Sequence, residues 1–266
     1  MIHRRLLAVS ALALPALGLV SAQAQTVAKS RLKTIQDNNV LRVGTTGDFN
    51  PMSFKAPGEA GYQGHQIDCA ELLAKDMGVK PSYVATDWKT LINGLAADQY
   101  DIVMTGTTMS AARAMAAVFV EPWGRNAFVP LALKKDVAKF KDWASLDQPG
   151  VTIGTNLGTT MEQFVQQTLP KAKLRRVESP ARDWQELLGG RVDVTMSSLI
   201  EAASLTREYP QLISLFTDQP RNPIPMAFLI PQADPTWLAF LNNWMTLRLA
   251  SGAFAELDKK WNLTTA

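Results

Sequence analysis

The sequence predicts an α/β fold of two lobes, each a mainly parallel sheet flanked by helices, with two crossover segments joining them. Three observations predict it. Strand-like and helix-like segments alternate as βαβαβ twice along the chain, the pattern of a parallel sheet with helices on its faces. Two further strand-like runs, residues 128–133 and 226–230, stand where the chain would cross from one repeat to the other and back. The chain has 266 residues, 47% hydrophobic and 19% charged, which suits one large or two modest domains and excludes collagen, coiled-coil and disordered chains. On this reading residues 25–124 with 226–266 form the first lobe and 125–225 the second.

Residues 1–24 come first. A positive start (His3, Arg4, Arg5), an apolar run over 6–20 and the small-residue end Ala22-Gln23-Ala24 make the three-part pattern of a cleavable secretory signal. The run is shorter than the roughly 20 residues that span a bilayer, and no other stretch qualifies, so stable membrane insertion is not expected. No cysteine follows the run to take a lipid. Export would place the protein in the periplasm of a cell with an outer membrane. No membrane segment or output domain follows before Ala266, which speaks against a signalling receptor.

Residues 40–45 (Val-Leu-Arg-Val-Gly-Thr) read as a strand that enters Thr46-Gly47-Asp48-Phe49-Asn50-Pro51, a turn dense in breakers. After Gly64, residues Ile67, Ala70, Leu73, Ala74 and Met77 recur at helical spacing, and Gly78 stands where that helix should stop. Residues 81–85 read as strand, 88–97 as helix and 101–105 as strand. The second unit repeats the order: strand 151–155, helix 159–168, strand 174–177, helix 182–188, strand 192–196. The opening strands echo each other (Leu41-Arg-Val-Gly-Thr, Val151-Thr-Ile-Gly-Thr). Residues 128–133 lead into the charged stretch 134–141, and Arg221-Asn-Pro-Ile-Pro precedes 226–230. Helices at 237–249 and 254–261 are expected to return to the first lobe. A double connection lets two rigid lobes bend about a hinge.

Charge and residue counts remove several chemistries. Lys plus Arg minus Asp plus Glu is 27 minus 24, or +3, and without Arg4 and Arg5 it is +1. No basic run is long enough to hold a nucleic acid backbone. Outside the leader only His65 and Cys69 remain of their types, so a zinc site would need acids for its other ligands and no ligand-spaced cluster is present. No metal or organic cofactor is expected. A Ser-His-Asp or Cys-His nucleophile would have to use His65, with no nucleophile elbow to support it. Cys69 reads as a small buried hydrophobe on a helix.

In open parallel sheets, ligands bind beyond the carboxyl ends of the strands. Three loops there stand out. Thr46 to Phe49 is the first. The second, Thr105-Gly106-Thr-Thr108-Met-Ser-Ala-Ala-Arg113, offers N–H groups, hydroxyls and one guanidinium able to hold a carboxylate with paired bonds, a geometry lysine cannot copy. The third, Asn156-Leu-Gly158-Thr159-Thr160, stands at a helix start, where free N–H groups and the dipole favour an anion. Each loop also has a plainer reading: Thr159 could only cap its helix, and Arg113 could pair with a surface acid such as Glu121. The aromatic residues Phe49, Phe54 and Trp88 lie near strand ends, where they could wall a small ligand.

These residues resemble family 3 extracellular solute-binding proteins, the receptors of polar amino-acid ABC importers. The likeness is carried by Gly64-His-Gln-Ile-Asp68, Trp88 with Leu91-Ile92, Tyr100-Asp101-Ile-Val-Met-Thr-Gly106, Arg113 followed by Phe119, and Gly252-Ala-Phe-Ala-Glu-Leu-Asp-Lys-Lys-Trp261. It implies a type II periplasmic-binding-protein fold and an ABC permease as partner. It also implies that Gly106, Thr108 and Arg113, aided by Thr159 or Thr160, hold a ligand carboxylate between Phe49 and Trp88.

One branch, the periplasmic cyclohexadienyl dehydratases, is more similar still, through Val40-Leu-Arg-Val-Gly-Thr-Thr-Gly-Asp48-Phe, Asp147-Gln-Pro-Gly-Val-Thr152 and Leu199-Ile-Glu201-Ala. That likeness implies Glu201 as general acid in the dehydration of prephenate or arogenate, a role open to a carboxylic acid closed away from water. The sequence departs from both patterns. Ser198 stands where amino-acid receptors carry an Asp for the ligand ammonium, although Asp48 could meet one. Met161 and Phe128 stand where the dehydratases carry Asn and Lys. The expected function is therefore a periplasmic receptor for a small carboxylate, with an organic acid lacking an α-amino group the better fit, and the dehydratase is the alternative.

Overall fold

The computed structural model describes residues 30–56 and 58–263; the expected leader, residues 1–24, lies outside them. The first lobe begins with α1 (Arg31–Asn38), capped by the Ser30 hydroxyl, and β1 (Val40–Thr45), whose Leu41 and Val43 are wholly buried. A short hairpin of β2 (Asp48–Phe49) and β3 (Ser53–Phe54) follows. Helix α2 (His65–Met77) buries Ile67, Ala70, Leu73 and Ala74 on one face, and Gly78 stops it in the left-handed region at φ 69°. Then come β4 (Lys80–Ala85), α3 (Leu91–Ala96), β5 (Ile102–Val103), α4 (Ala111–Ala114) and β6 (Val118–Phe119).

The second lobe contains β7 (Gly124–Leu133), β8 (Thr152–Asn156), α5 (Thr160–Thr168), β9 (Lys173–Val177), α6 (Asp183–Leu188), β10 (Val194–Ser198), α7 (Leu199–Glu208), β11 (Leu212–Ser214) and β12 (Arg221–Met226). The chain then returns through β13 (Leu229–Ile230) to α8 (Pro235–Ala250) and α9 (Ala253–Lys260). Trp237, Leu241, Trp244, Met245 and Phe254 of these two helices share one core with Leu41, Val43, Leu73 and Ile102.

The first sheet has the order β4-β1-β5-β13-β6 and the second β11-β7-β10-β8-β9, with β12 also on β7. Each is parallel only across three strands, β4-β1-β5 and β9-β8-β10. The others run antiparallel, because β7 and β13 enter their sheets from the opposite lobe. The strand expected at 226–230 is split: Met226 ends β12 in the second sheet, and Leu229–Ile230 pairs in the first. Arg221 to Pro225, expected only to precede that run, is strand; its prolines are tolerated because β12 is an edge with a register shift between Arg221 and Ile224.

The helix expected at 88–97 starts later, at Leu91. Asp87 Oδ1 accepts the N–H groups of Lys89 (2.9 Å) and Thr90 (2.8 Å), and this side-chain turn holds residues 87–90 outside the helix. Trp88 therefore sits on a loop at the interlobe gap. His65 and Cys69, the remaining candidates for nucleophilic chemistry, are wholly buried in the first core: His65 Nε2 lies 2.9 Å from Asp258 Oδ1 and its Nδ1 3.7 Å from the Cys69 thiol. No helix among the described residues is long and apolar enough to cross a membrane.

Candidate functional site

The carboxyl ends of β1, β5, β8 and β10 all face the gap between the lobes, and a cavity opens there. Its walls hold Phe49, Trp88, Gly106, Thr108, Arg113, Thr159, Thr160 and Glu201, all singled out in the sequence, together with Asn126, Asn156, Met161, Arg182 and Met196. Five other residues named in the sequence stand apart from this wall. Thr105 is fully buried and bonded to Thr46, with its hydroxyl 3.1 Å from Thr46 N and 2.7 Å from Thr46 Oγ1, so it braces the first loop. Ser198 caps α7 by accepting Glu201 N–H at 3.2 Å. Asp48 lies beside the cavity, accepting Trp88 Nε1 at 3.1 Å. Gly158 acts through its backbone. Phe54 packs edge-on against Trp261, 6.0 Å between ring centres, away from the cavity.

Arg113 rides on α4, whose N-cap Ser110 accepts its N–H. It is 7% exposed. Its Nη1 donates to Thr108 O at 2.9 Å and its Nη2 reaches Gly158 O of the other lobe at 3.2 Å. Among the described residues no acid pairs with it, and burial with nothing to offset it pulls its pKa down to about 10. Glu121, the surface partner considered above, is elsewhere, taking Thr246 Oγ1 at 3.3 Å.

Opposite lies the start of α5. Thr159 does cap it, accepting Glu162 N–H at 3.2 Å, and so holds the helix tip at the cavity wall. Thr160 Oγ1 meets Thr108 Oγ1 across the gap at 2.7 Å. The close approach needs Gly158, which has φ +82° and whose added Cβ would lie 2.6 Å from Trp88 O. Phe49 and Trp88 meet edge-on with centres 6.1 Å apart, and the Arg113 guanidinium sits 5.9 Å from the Trp88 ring.

Asn126, Arg182 and Met196 line the cavity without a mark in the sequence analysis. Arg182 reads there only as a helix start, yet it closes a strand-end loop like the other three, and that position is the available signal. Its Nη1 pairs with Asp48 of the first lobe and its Nη2 with Glu201 Oε1 at 2.7 Å. Burial pulls its pKa down, but the charges of Asp48 and Glu201 outweigh this and raise it. Glu201 Oε2 accepts Ser197 Oγ at 2.8 Å. Burial raises the Glu201 pKa, while Arg182 and Ser197 oppose the rise. Met161 lines the cavity, whereas Phe128 is buried in the second core with its ring centre 5.4 Å from that of Phe164.

Asp183, behind the wall, accepts Asn156 Nδ2 at 3.0 Å. Burial, aided by the Glu201 charge, pushes its carboxyl up to about 7. From about pH 4, where Asp ionises in the unfolded chain, to about 7, the folded protein keeps a proton that the unfolded chain has released. This group's contribution to stability therefore falls as pH rises through that window. Asp183→Asn, uncharged throughout, is expected to lessen that decline in melting temperatures measured between about pH 4 and pH 8. An unchanged slope would mean that Asp183 is already ionised in the folded chain.

A family model described as bacterial extracellular solute-binding proteins, family 3, matches residues 41–264. Cyclohexadienyl dehydratase of Pseudomonas aeruginosa is 32% identical over 249 residues, covering 94% of this chain and 92% of that protein. Among solved structures, an ancestral amino acid-binding protein described as a precursor of cyclohexadienyl dehydratase is similar at a TM-score of 0.82 and 34% identity, covering 87% of this chain and 99% of that one. A putative ABC-transporter binding component from Wolinella succinogenes, complexed with lysine, is similar at 0.79 and 30%, covering 85% and 97%. The two-lobe type II periplasmic-binding-protein fold is common to these two structures and to this chain.

Proposed function

The chain belongs to the bacterial extracellular solute-binding proteins, family 3, and from that premise we propose that it is an exported periplasmic receptor. It closes two lobes on a small carboxylate, an amino acid or related organic acid, and presents it to an ABC permease in the inner membrane. Of the described residues, those within 25–124 and 226–266 would move as one lobe and those within 125–225 as the other. The observation that carries this reading is the buried Arg113 guanidinium: it lines the cavity, touches carbonyls of both lobes and, among the described residues, has no acid of its own. A ligand carboxylate would supply the missing charge through paired hydrogen bonds. Gly106, Thr108 and Thr160 would complete that seat, with Phe49 and Trp88 as apolar walls.

A thermal-shift screen of amino acids, 2-oxo acids and prephenate tests the reading, since a ligand at a hundred times its Kd stabilises the folded state by about 2.7 kcal/mol. A clear shift with at least one carboxylate, and none with its amide, is the expected result. Equal shifts for acid and amide would remove the carboxylate seat.

The second reading is a prephenate or arogenate dehydratase. It is favoured by Glu201, a buried acid in the cavity wall whose pKa burial raises. Against it, both Glu201 oxygens are engaged, and the adjacent Arg182 charge favours the ionised form, which has no proton to give. Incubation with prephenate, followed by phenylpyruvate absorbance, is expected to show no turnover. Turnover lost in Glu201→Gln would establish the enzyme instead.

A further inference from the structure

Among the described residues, the two carboxylates at the cavity, Glu201 and Asp48, have all four oxygens engaged. Glu201 Oε1 accepts Arg182 Nη2 and its Oε2 accepts Ser197 Oγ. Asp48 Oδ1 accepts Trp88 Nε1 and its Oδ2 accepts Arg182 Nη1. Asp183 is occupied by Asn156 and Trp184 and does not line the cavity. The unused groups are donors. Asn126, 1% exposed and in the cavity wall, has its Oδ1 tied to Ala127 N–H at 2.9 Å, which fixes the amide and leaves Nδ2 without an acceptor. Arg182 Nε is likewise buried without a partner. Arg113 has only carbonyls.

We infer that Arg182 determines specificity: by occupying Asp48 and Glu201 it makes the cavity donor-rich, so that the site takes a carboxylate bearing a second oxygen acceptor, of the 2-oxo acid class, in preference to the α-amino acid of the same skeleton. This rests on the carboxylate seat at Arg113. An ammonium brings three donors and no acceptor; here it would meet donors that also lack partners, and desolvating it without an acceptor is costly. A 2-oxo group is an acceptor of similar size and reverses that mismatch. Arg182 reaches Asp48 from the other lobe, so the same contact that neutralises the acids forms when the cleft is shut.

The test is calorimetry on the leader-free chain with pyruvate and alanine, 2-oxoglutarate and glutamate, and phenylpyruvate and phenylalanine. At least one 2-oxo acid is expected to bind, at least tenfold more tightly than its partner. Arg182→Gln, which frees two acids, should erase or reverse that ratio; Arg182→Lys, which keeps a cation between them, should retain most of it. Asp48→Asn, a milder change, should increase it. An amino acid bound as tightly as its 2-oxo partner, a ratio untouched by Arg182→Gln, or no binding in any pair overturns the inference. If an amino acid binds and Arg113→Ala releases it, the carboxylate seat stands and only the specificity falls; if Arg113→Ala leaves binding intact, the seat falls as well.

Discussion

Arg113→Ala is expected to weaken binding of whichever carboxylate the thermal-shift screen identifies by roughly a hundredfold to a few thousandfold in Kd. Removing one partner of a desolvated charge pair costs about 3–5 kcal/mol, and each 1.4 kcal/mol is about tenfold in affinity. Arg113→Lys should fall between wild type and alanine, because an ammonium keeps the charge but not the planar fork. The ligand-free protein should behave in the opposite sense. The guanidinium is buried with no acid beside it, and its pKa is pulled down to about 10 by that burial alone, so its removal should leave the ligand-free melting temperature unchanged or raised. Calorimetry and melting together separate the two roles. Unchanged affinity, or lost affinity with an equal loss of ligand-free stability, would make Arg113 a structural residue.

The largest expected loss of stability lies at the far end of β5. Asp101 is 2% exposed and accepts Arg42 N–H at 2.8 Å, Arg42 Nη2 at 2.7 Å and Arg31 Nη1 at 2.9 Å. It thereby ties α1 to β1 in the interior of the first sheet, and its own carbonyl accepts the indole of Trp237 from α8 at 3.2 Å. Asp101→Ala should cost about 3 kcal/mol, the low end for a broken buried pair, because Arg42 is 34% exposed and can rehydrate. For a chain of this size that is on the order of 10 °C in melting temperature. Affinity per folded molecule should not change, since Asp101 is at the end of β5 opposite the cavity. A melting point within a degree or two of wild type would show that water replaces the network.

Elements with local causes could be read in the chain. Helix α2 was legible in its apolar spacing and its stop at Gly78, and β1 and β8 in their run into glycine and threonine. The cavity residues that sequence reasoning reached, Arg113 and the α5 start among them, sit on loops at strand ends or in the first turn of the helix that follows, where the parallel arrangement itself predicts a ligand. The errors had longer-range causes. A proline pair hid β12, because its edge position is not written in its own residues. Arg182 passed for a helix start because nothing within its neighbourhood of the sequence is an acid it would bind: Asp48 is 134 residues away and Glu201 19.

Segment periodicity and turn chemistry are short-range, acting over a few residues, and these were enough to define two α/β lobes and the loops at their facing ends. Which of the buried charges find partners depends on how two separately folded lobes meet. Only that meeting leaves Arg113 without an acid while Arg182 takes two. The physical reason is that a charge's environment is set by everything within several ångströms in space, including groups more than a hundred positions distant along the chain.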